Sequence, residues 1–189
     1  MSGEVVLRRF AIPLTLFAIV FSANISLASP KPQIVDVKGQ VRGREAHVFF
    51  TLGYAFTPEM VEALKSGIEI SFKTVVRVER VHRNWFDAPV GELQFTRSVR
   101  YDALSQVYRL QRETGGELLP DIQSALSGMT RYDVKVPLTV VAEGGKHYRA
   151  YVRTRLDRVG LSEPLRSIFF FSSLWDVETE WAKGSLAAP

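Results

Sequence analysis

Apolar and polar side chains alternate with a period of two through residues 68–110, and this stretch organises the chain. Ile70, Phe72 and Val76 belong to the apolar set, whereas Lys73 and Arg77 belong to the polar set. Successive side chains of a strand point to opposite faces, so the pattern predicts two long strands and the start of a third, with one face buried. Their order predicts an antiparallel meander, with a loop over residues 82–89 between the first two strands and a turn over residues 102–105 before the third.

Arg97 breaks the inward apolar set of the second long strand, which includes Leu93, Phe95 and Val99. A charged side chain at an inward position predicts either a bulge that shifts the register there or a strand end near the sheet edge.

Further strands are predicted on both sides of the meander. Residues 34–41 and 46–54 flank a turn at 42–45 and form one hairpin. Residues 132–141 and 148–157 flank a Gly144-Gly145 turn and form a second hairpin, with Pro137 favouring an edge position or a bulge. Residues 175–181 predict a last strand, and residues 182–189 are expected to fray.

Two short helices complete the prediction. Thr57-Pro58-Glu59 combines an N-cap, a proline at the first helical position and an acidic first turn. Residues 118–126 form the second helix, with Gly128 as its stop. The resulting fold class is mainly β, an antiparallel β-sandwich-like domain with two short helices over residues 29–189. The alternative is a single strongly curved sheet with the helices on its concave face.

Residues 1–28 have the composition of a targeting segment. Arg8 and Arg9 precede the almost entirely apolar residues 10–25, and Ser26 and Ala28 provide small residues at the −3 and −1 positions. We therefore expect a signal peptide and a periplasmic or exported protein. The alternative is an N-terminal anchor in the inner membrane, in which case membrane contact runs only through residues 1–28.

Charge and composition narrow the function classes. Without Arg8, Arg9 and Glu4, the totals of 24 basic and 20 acidic side chains become 22 and 19, a net charge of +3. This mild excess is compatible with an anionic partner, whereas nucleic acid is not expected as a partner of an exported protein. The chain has no cysteine, which excludes disulfides, thiol nucleophiles and thiolate metal sites.

The sequence offers little catalytic chemistry. His47, His82 and His147 are far apart and lack the paired spacing of zinc ligands. No Gly-x-Ser-x-Gly elbow is present. We therefore expect no catalytic residues, no metal and no cofactor, and a protein that is not an enzyme.

A stripe of arginines on one strand is the most informative candidate surface. Arg149, Arg153 and Arg155 share one strand face with Tyr151, and such a patch suits carboxylates, phosphates or an acidic partner segment. An ordinary wet face with paired arginines is the alternative. Trp85 and Phe86, in the loop over residues 82–89, either anchor a partner or cap the end of the sheet. The candidate partner-binding residues are Trp85, Phe86, Arg97, Arg100, Arg149, Tyr151, Arg153 and Arg155.

Several segments together resemble the proteobacterial family catalogued as domain of unknown function 4390. These segments are IVDV at 34–37, PEMVEAL at 58–64, the Trp85 loop, SVRYDALSQVY at 98–108, YRAYVRTRLD at 148–157, SSLW at 172–175, and Trp181. The resemblance covers nearly the whole of residues 29–189 and implies no established activity. It hints at an accessory role in the cell envelope. The Phe169-Phe170-Phe171 run departs from the common pattern.

The sequence therefore predicts an exported cell-envelope domain that is non-catalytic and protein-binding, with an envelope or membrane protein as its partner. The alternative function is a small-ligand or lipid binder that uses an apolar cleft lined by residues such as Phe72, Phe95 and Phe170. An enzyme of unrecognised type is the third hypothesis, and it requires a pocket where several titratable side chains converge.

Overall fold

The computed structural model describes residues 30–82, 86–157 and 177–188. The predicted signal peptide, Trp85 and the Phe169-Phe170-Phe171 run lie outside these residues. The described elements are β1 (Gln33–Arg42), β2 (Glu45–Gly53), α1 (Pro58–Lys65), β3 (Ile70–Val81), β4 (Ala88–Asp102), β5 (Val107–Arg112), β6 (Gly115–Leu119), α2 (Ile122–Thr130), β7 (Arg131–Pro137), β8 (His147–Leu156) and β9 (Ala182–Ala187).

All nine described strands belong to one sheet, in the order β6-β5-β4-β3-β8-β9-β1-β2-β7. The pairs are antiparallel except for β1 with β9, which run parallel. The mainly β class and the meander β3-β4-β5 are confirmed, but the predicted sandwich of two sheets is not. A single hydrogen-bonded sheet is closer to the alternative of one curved sheet.

Curvature brings strands from different parts of the sheet together. The β7 end lies against β4, where the Thr139 amide and hydroxyl both donate to the Val90 carbonyl, at 2.8 and 3.0 Å. Inside, the rings of Phe95 and Tyr132 are 6.0 Å apart. Inward positions such as Phe72, Val134 and Val152 are almost fully buried. The alternation in the sequence therefore identified the core face correctly.

Arg97 stays in register and is buried, contrary to both explanations offered by the sequence. It lies opposite Phe72, and the only register shift recorded between β3 and β4 falls at Val78/Glu79. Arg97 is 1% exposed. A charge is tolerated there because Glu113 pairs with the guanidinium and the carbonyls of Gly128 and Arg131 accept from it.

The predicted hairpin around Gly144-Gly145 is wrong. The turn forms, but β7 pairs with β2, whereas β8 pairs with β3 and β9. The intervening residues instead attach to the turn between β1 and β2, since Leu138 N donates to Arg44 O and Ala142 N donates to Gly43 O. Pro137 does end an edge strand, as predicted.

The second helix begins later than predicted. Residues 115–119 pair with β5 as β6, so the helix starts at Ile122 with Asp121 as its N-cap, accepting from Ser124 N at 2.8 Å. Gly128 is not the stop but a buried residue inside α2, where a Cβ would meet Leu110 at 2.6 Å. α1 matches its predicted signals, with Thr57 as N-cap and Pro58 at its start.

Residues 182–187 form a strand of the sheet, so the prediction that this segment frays is wrong. β9 pairs with both β8 and β1. Residues 177–181, which were predicted to be strand, contribute a single bridge between Glu178 and Arg155. Of the helices in the described part, neither is long and apolar enough to cross a membrane.

Candidate functional site

The register of β3 with β8 collects charged side chains on the outer face of the sheet. Lys73 lies opposite Arg155, Val75 opposite Arg153, and Arg77 opposite Tyr151. Alternate residues of these strands face the core, because Thr74 and Val76 are fully buried. The arginine stripe predicted on one strand is therefore extended sideways by two basic residues of its neighbour.

A shallow hollow of about 250 Å³ lies on this face. The described residues that line it come from β3, β4, β8 and the segment before β9, and they are Lys73, Val75, Arg77, Glu92, Gln94, Arg153, Arg155, Glu178 and Trp181. We call it the outer hollow. Its walls are mostly charged and its apolar surface comes from Val75 and Trp181.

Trp181 is the aromatic wall of the outer hollow and is 38% exposed. The guanidinium carbons of Arg77 and Arg153 lie 5.0 and 5.9 Å from its ring. Both arginines are also paired with carboxylates, Arg77 with Glu92 at 2.7 Å and Arg153 with Glu178 at 2.5 Å. These cation–π and ionic contacts hold the two arginines and the indole in place.

Lys73 and Arg155 differ from these two arginines because, among the described residues, neither forms an ion pair. They are cross-strand neighbours of like charge, which is an unfavourable arrangement in a sheet. Within the described part of the chain, the outer hollow therefore contains two cations held in ion pairs and two that form none.

Arg149, at the other end of β8, contacts Asp87 and Tyr151 rather than the outer hollow. Its Nη1 lies 3.4 Å from Asp87 Oδ2 and donates to the Tyr151 hydroxyl at 3.2 Å. The bond to Tyr151 is the largest cause of a raised pKa of Arg149, and the nearby Asp87 adds to it. Asp87 Oδ1 also accepts from the His82 amide at 3.2 Å. Arg149 thus fastens the end of the loop that carries Phe86.

The structure does not bring all of the predicted partner-binding residues together. Tyr151, Arg153 and Arg155 share the outer face with Arg149. Arg100 is exposed on β4 but lies opposite Arg109, away from the outer hollow. Arg97 is inside the core and does not join the surface patch. Phe86 is 85% exposed. Trp85 lies outside the described residues.

Sequence reasoning missed Lys73, Arg77 and Trp181. The two basic residues were correctly assigned to the outward set of their strand, but the pairing of β3 with β8 was not predicted. A continuous strand over residues 175–181 would place Trp181 on the same face as Val177 and Thr179, which are buried. Strand alternation fails there because those residues form an isolated bridge rather than a continuous strand.

Other candidate chemistry is dispersed. His47 bonds to Glu45 at 2.7 Å on β2, and His82 lies beside Asp87. Within the described ranges, no three potential metal ligands come together. Phe72 packs edge-to-face on Phe56, with the ring centroids 5.4 Å apart, so the Phe72 ring is part of the core rather than the lining of an open cleft.

A model of one protein family, described as "Domain of unknown function (DUF4390)", matches residues 29–184. No curated protein and no solved structure matches the chain.

Proposed function

The chain belongs to the DUF4390 family, whose description states no activity, and on that premise we propose that it is a non-catalytic, exported domain of the cell envelope that binds another protein. The outer face of β3, β8 and the segment before β9 is the binding surface. The partner is an envelope or membrane protein, and Trp181, Tyr151, Arg153 and Arg155 contact it.

The observation that carries the proposal is the combination of an exposed tryptophan with guanidinium groups fixed around it. Arg77 and Arg153 flank the Trp181 ring, and tryptophan, tyrosine and arginine are the residue types enriched at interface hot spots. Side chains already held by ion pairs lose less rotamer entropy on binding. A shallow, charged hollow suits a protein segment better than a buried small molecule.

Export is supported by the composition of residues 1–28 and by the start of the family match at residue 29. The alternative function, a lipid or small-ligand site in an apolar cleft, is less well supported. Phe72 is fully buried against Phe56, and Phe95 is tilted against Tyr132. Phe170 lies outside the described residues.

Site-specific photocrosslinking in intact cells tests the proposal. A photoreactive residue in place of Lys183, which is exposed and lies opposite Tyr151, is expected to capture one defined envelope protein. The same probe in place of Arg100 is the matched control, since that site is also exposed but lies on β4, opposite Arg109 and outside the outer hollow. The captured protein is identified by mass spectrometry and its binding is then reproduced with both purified proteins.

Two variants decide whether the outer face is responsible. Arg153→Glu with Trp181→Ala is expected to abolish both crosslinking and binding of the purified partner, whereas Arg100→Glu leaves both unchanged. Equal capture from positions 183 and 100, or binding that survives the double substitution, contradicts the proposal. A small molecule that co-purifies without any captured protein favours the ligand-binding alternative.

A further inference from the structure

We infer that Lys73 and Arg155 form an anion subsite that receives carboxylate groups of an acidic segment in the partner protein. The inference rests on the proposed function and specifies what the outer hollow recognises. It assigns the ligand class as an extended run of aspartate or glutamate residues.

The register places the two cations together. Lys73 and Arg155 are directly opposite on β3 and β8, so their Cβ atoms are separated by about 5 Å. Both lie on the outer face, and no described carboxylate neutralises either of them. A carboxylate bound between them accepts charge-assisted hydrogen bonds from both and removes their mutual repulsion.

The other charges of the outer hollow favour binding of the anion between Lys73 and Arg155. Glu92 and Glu178 already form ion pairs with Arg77 and Arg153, and their negative charges repel a second anion from those arginines. The described residues that line the outer hollow include four cations and two carboxylates, which together contribute a net charge of +2. Two carboxylates of the ligand balance that charge, and in an extended segment residues i and i+2 point to the same side.

Val75 and Trp181 supply the apolar contact that a segment needs in addition to charge. Val75 is half-buried between Lys73 and Arg77, and the Trp181 ring lies beside Arg77 and Arg153. The methylene groups of a glutamate side chain pack on such surfaces while its carboxylate reaches the cations. A segment bound in this way changes the surroundings of the indole, which makes Trp181 a built-in reporter.

The experiment uses tetraglutamate peptide as the probe and tetraglutamine peptide as its uncharged match. Trp85→Phe and Trp175→Phe leave Trp181 as the only tryptophan of the chain. At low ionic strength we expect tetraglutamate to change the Trp181 fluorescence saturably, and we expect added salt to weaken the binding. Tetraglutamine is expected to produce no saturable change.

Variants of the two cations test the subsite itself. Lys73→Gln with Arg155→Gln is expected to weaken tetraglutamate binding by about tenfold or more, since two charge-assisted hydrogen bonds are lost. Arg100→Gln, with the same loss of charge per residue outside the outer hollow, keeps the affinity. The double variant folds at least as stably, because a like-charge pair has been removed, and its thermal unfolding verifies this.

The outcomes separate this inference from the proposed function. Unchanged tetraglutamate binding in the double variant, or equal binding of both peptides, overturns the anion subsite. Tighter binding of inorganic phosphate than of tetraglutamate assigns the subsite to phosphate and overturns the carboxylate ligand. If partner capture depends on Trp181 and Arg153 while tetraglutamate does not bind, the proposed function survives and the subsite does not. If the peptide binds without any partner capture, the anion subsite survives and the proposed function does not.

Discussion

Arg97 and Glu113 form a two-point ion pair inside the fold, with Nε to Oε2 at 3.2 Å and Nη2 to Oε1 at 2.5 Å. The remaining terminal nitrogen donates to the carbonyls of Gly128 and Arg131 at 2.8 and 2.7 Å. The guanidinium carbon also lies 4.0 Å from the centre of the Tyr132 ring. One side chain of β4 therefore connects the turn after β5, helix α2 and strand β7.

Removing the Glu113 carboxylate leaves the Arg97 charge buried without its counterion. We expect Glu113→Gln to lower the free energy of unfolding by about 3–5 kcal/mol, measured by urea denaturation. Glu92→Gln is the matched control, because its pair with Arg77 is about half exposed on both sides. That change is expected to cost less than about 1 kcal/mol. Equal losses for the two variants contradict a structural role for the buried pair.

Tyr132 makes the stability of the fold sensitive to alkaline pH. Burial raises its pKa from 10.0 to about 12, and Arg97 partly opposes the shift. Below pH 10 the phenol is neutral in both states and no stability is lost. Above that value the unfolded chain releases the proton first, so stability falls as the pH rises toward 12.

Thermal unfolding of the wild type and of Tyr132→Phe at a series of pH values measures this effect. The variant keeps the ring stacked on Phe50, where the centroids are 4.5 Å apart, but has no ionisable group. We expect the steep alkaline decrease in the unfolding temperature to be much smaller in the variant. Parallel curves for the two proteins would assign the decrease to other groups.

Gly184 allows β9 to insert between β8 and β1. A Cβ at this position collides with the backbone carbonyl of Val37, which a rigid strand cannot move aside. We expect Gly184→Ala to destabilise the fold by roughly 1–3 kcal/mol and to accelerate amide hydrogen exchange in β9. Gly53→Ala is the control, since its Cβ would only touch the Gln33 carbonyl at 3.6 Å. Similar effects at both glycines contradict this account of β9.

Mass spectrometry of the N-terminus tests the proposed export. Cleavage after Ala28 gives a chain that begins at Ser29 and lacks the apolar residues 10–25. We expect intact mass spectrometry of protein released from the periplasm to show this species. Replacing Ala28 with a large charged residue is expected to block cleavage and keep the full-length protein with the membrane fraction. A wild-type protein that retains residues 1–28 supports the anchor instead.

Local patterns identified the elements whose signals are contained in short stretches of chain. Period-two alternation located β3, β4 and β8 and their buried faces, because the pleat alternates side chains whatever the partner strand. Thr57 and Pro58 located α1, because the N-cap contact lies within one turn: the Thr57 hydroxyl accepts a hydrogen bond from the Met60 amide. The same alternation placed Arg149, Arg153 and Arg155 on one face.

Tertiary structure alone decided which strands are neighbours, and that choice created the site. The segments on either side of the Gly-Gly turn have the pattern of a hairpin, yet β7 pairs with β2 and β8 pairs with β3. Lys73 meets Arg155 only through that pairing. Glu113 is 16 residues from Arg97, so nothing local indicated that the inward charge had a partner. Alternation is a property of one strand, whereas pairing depends on the free energy of the whole sheet.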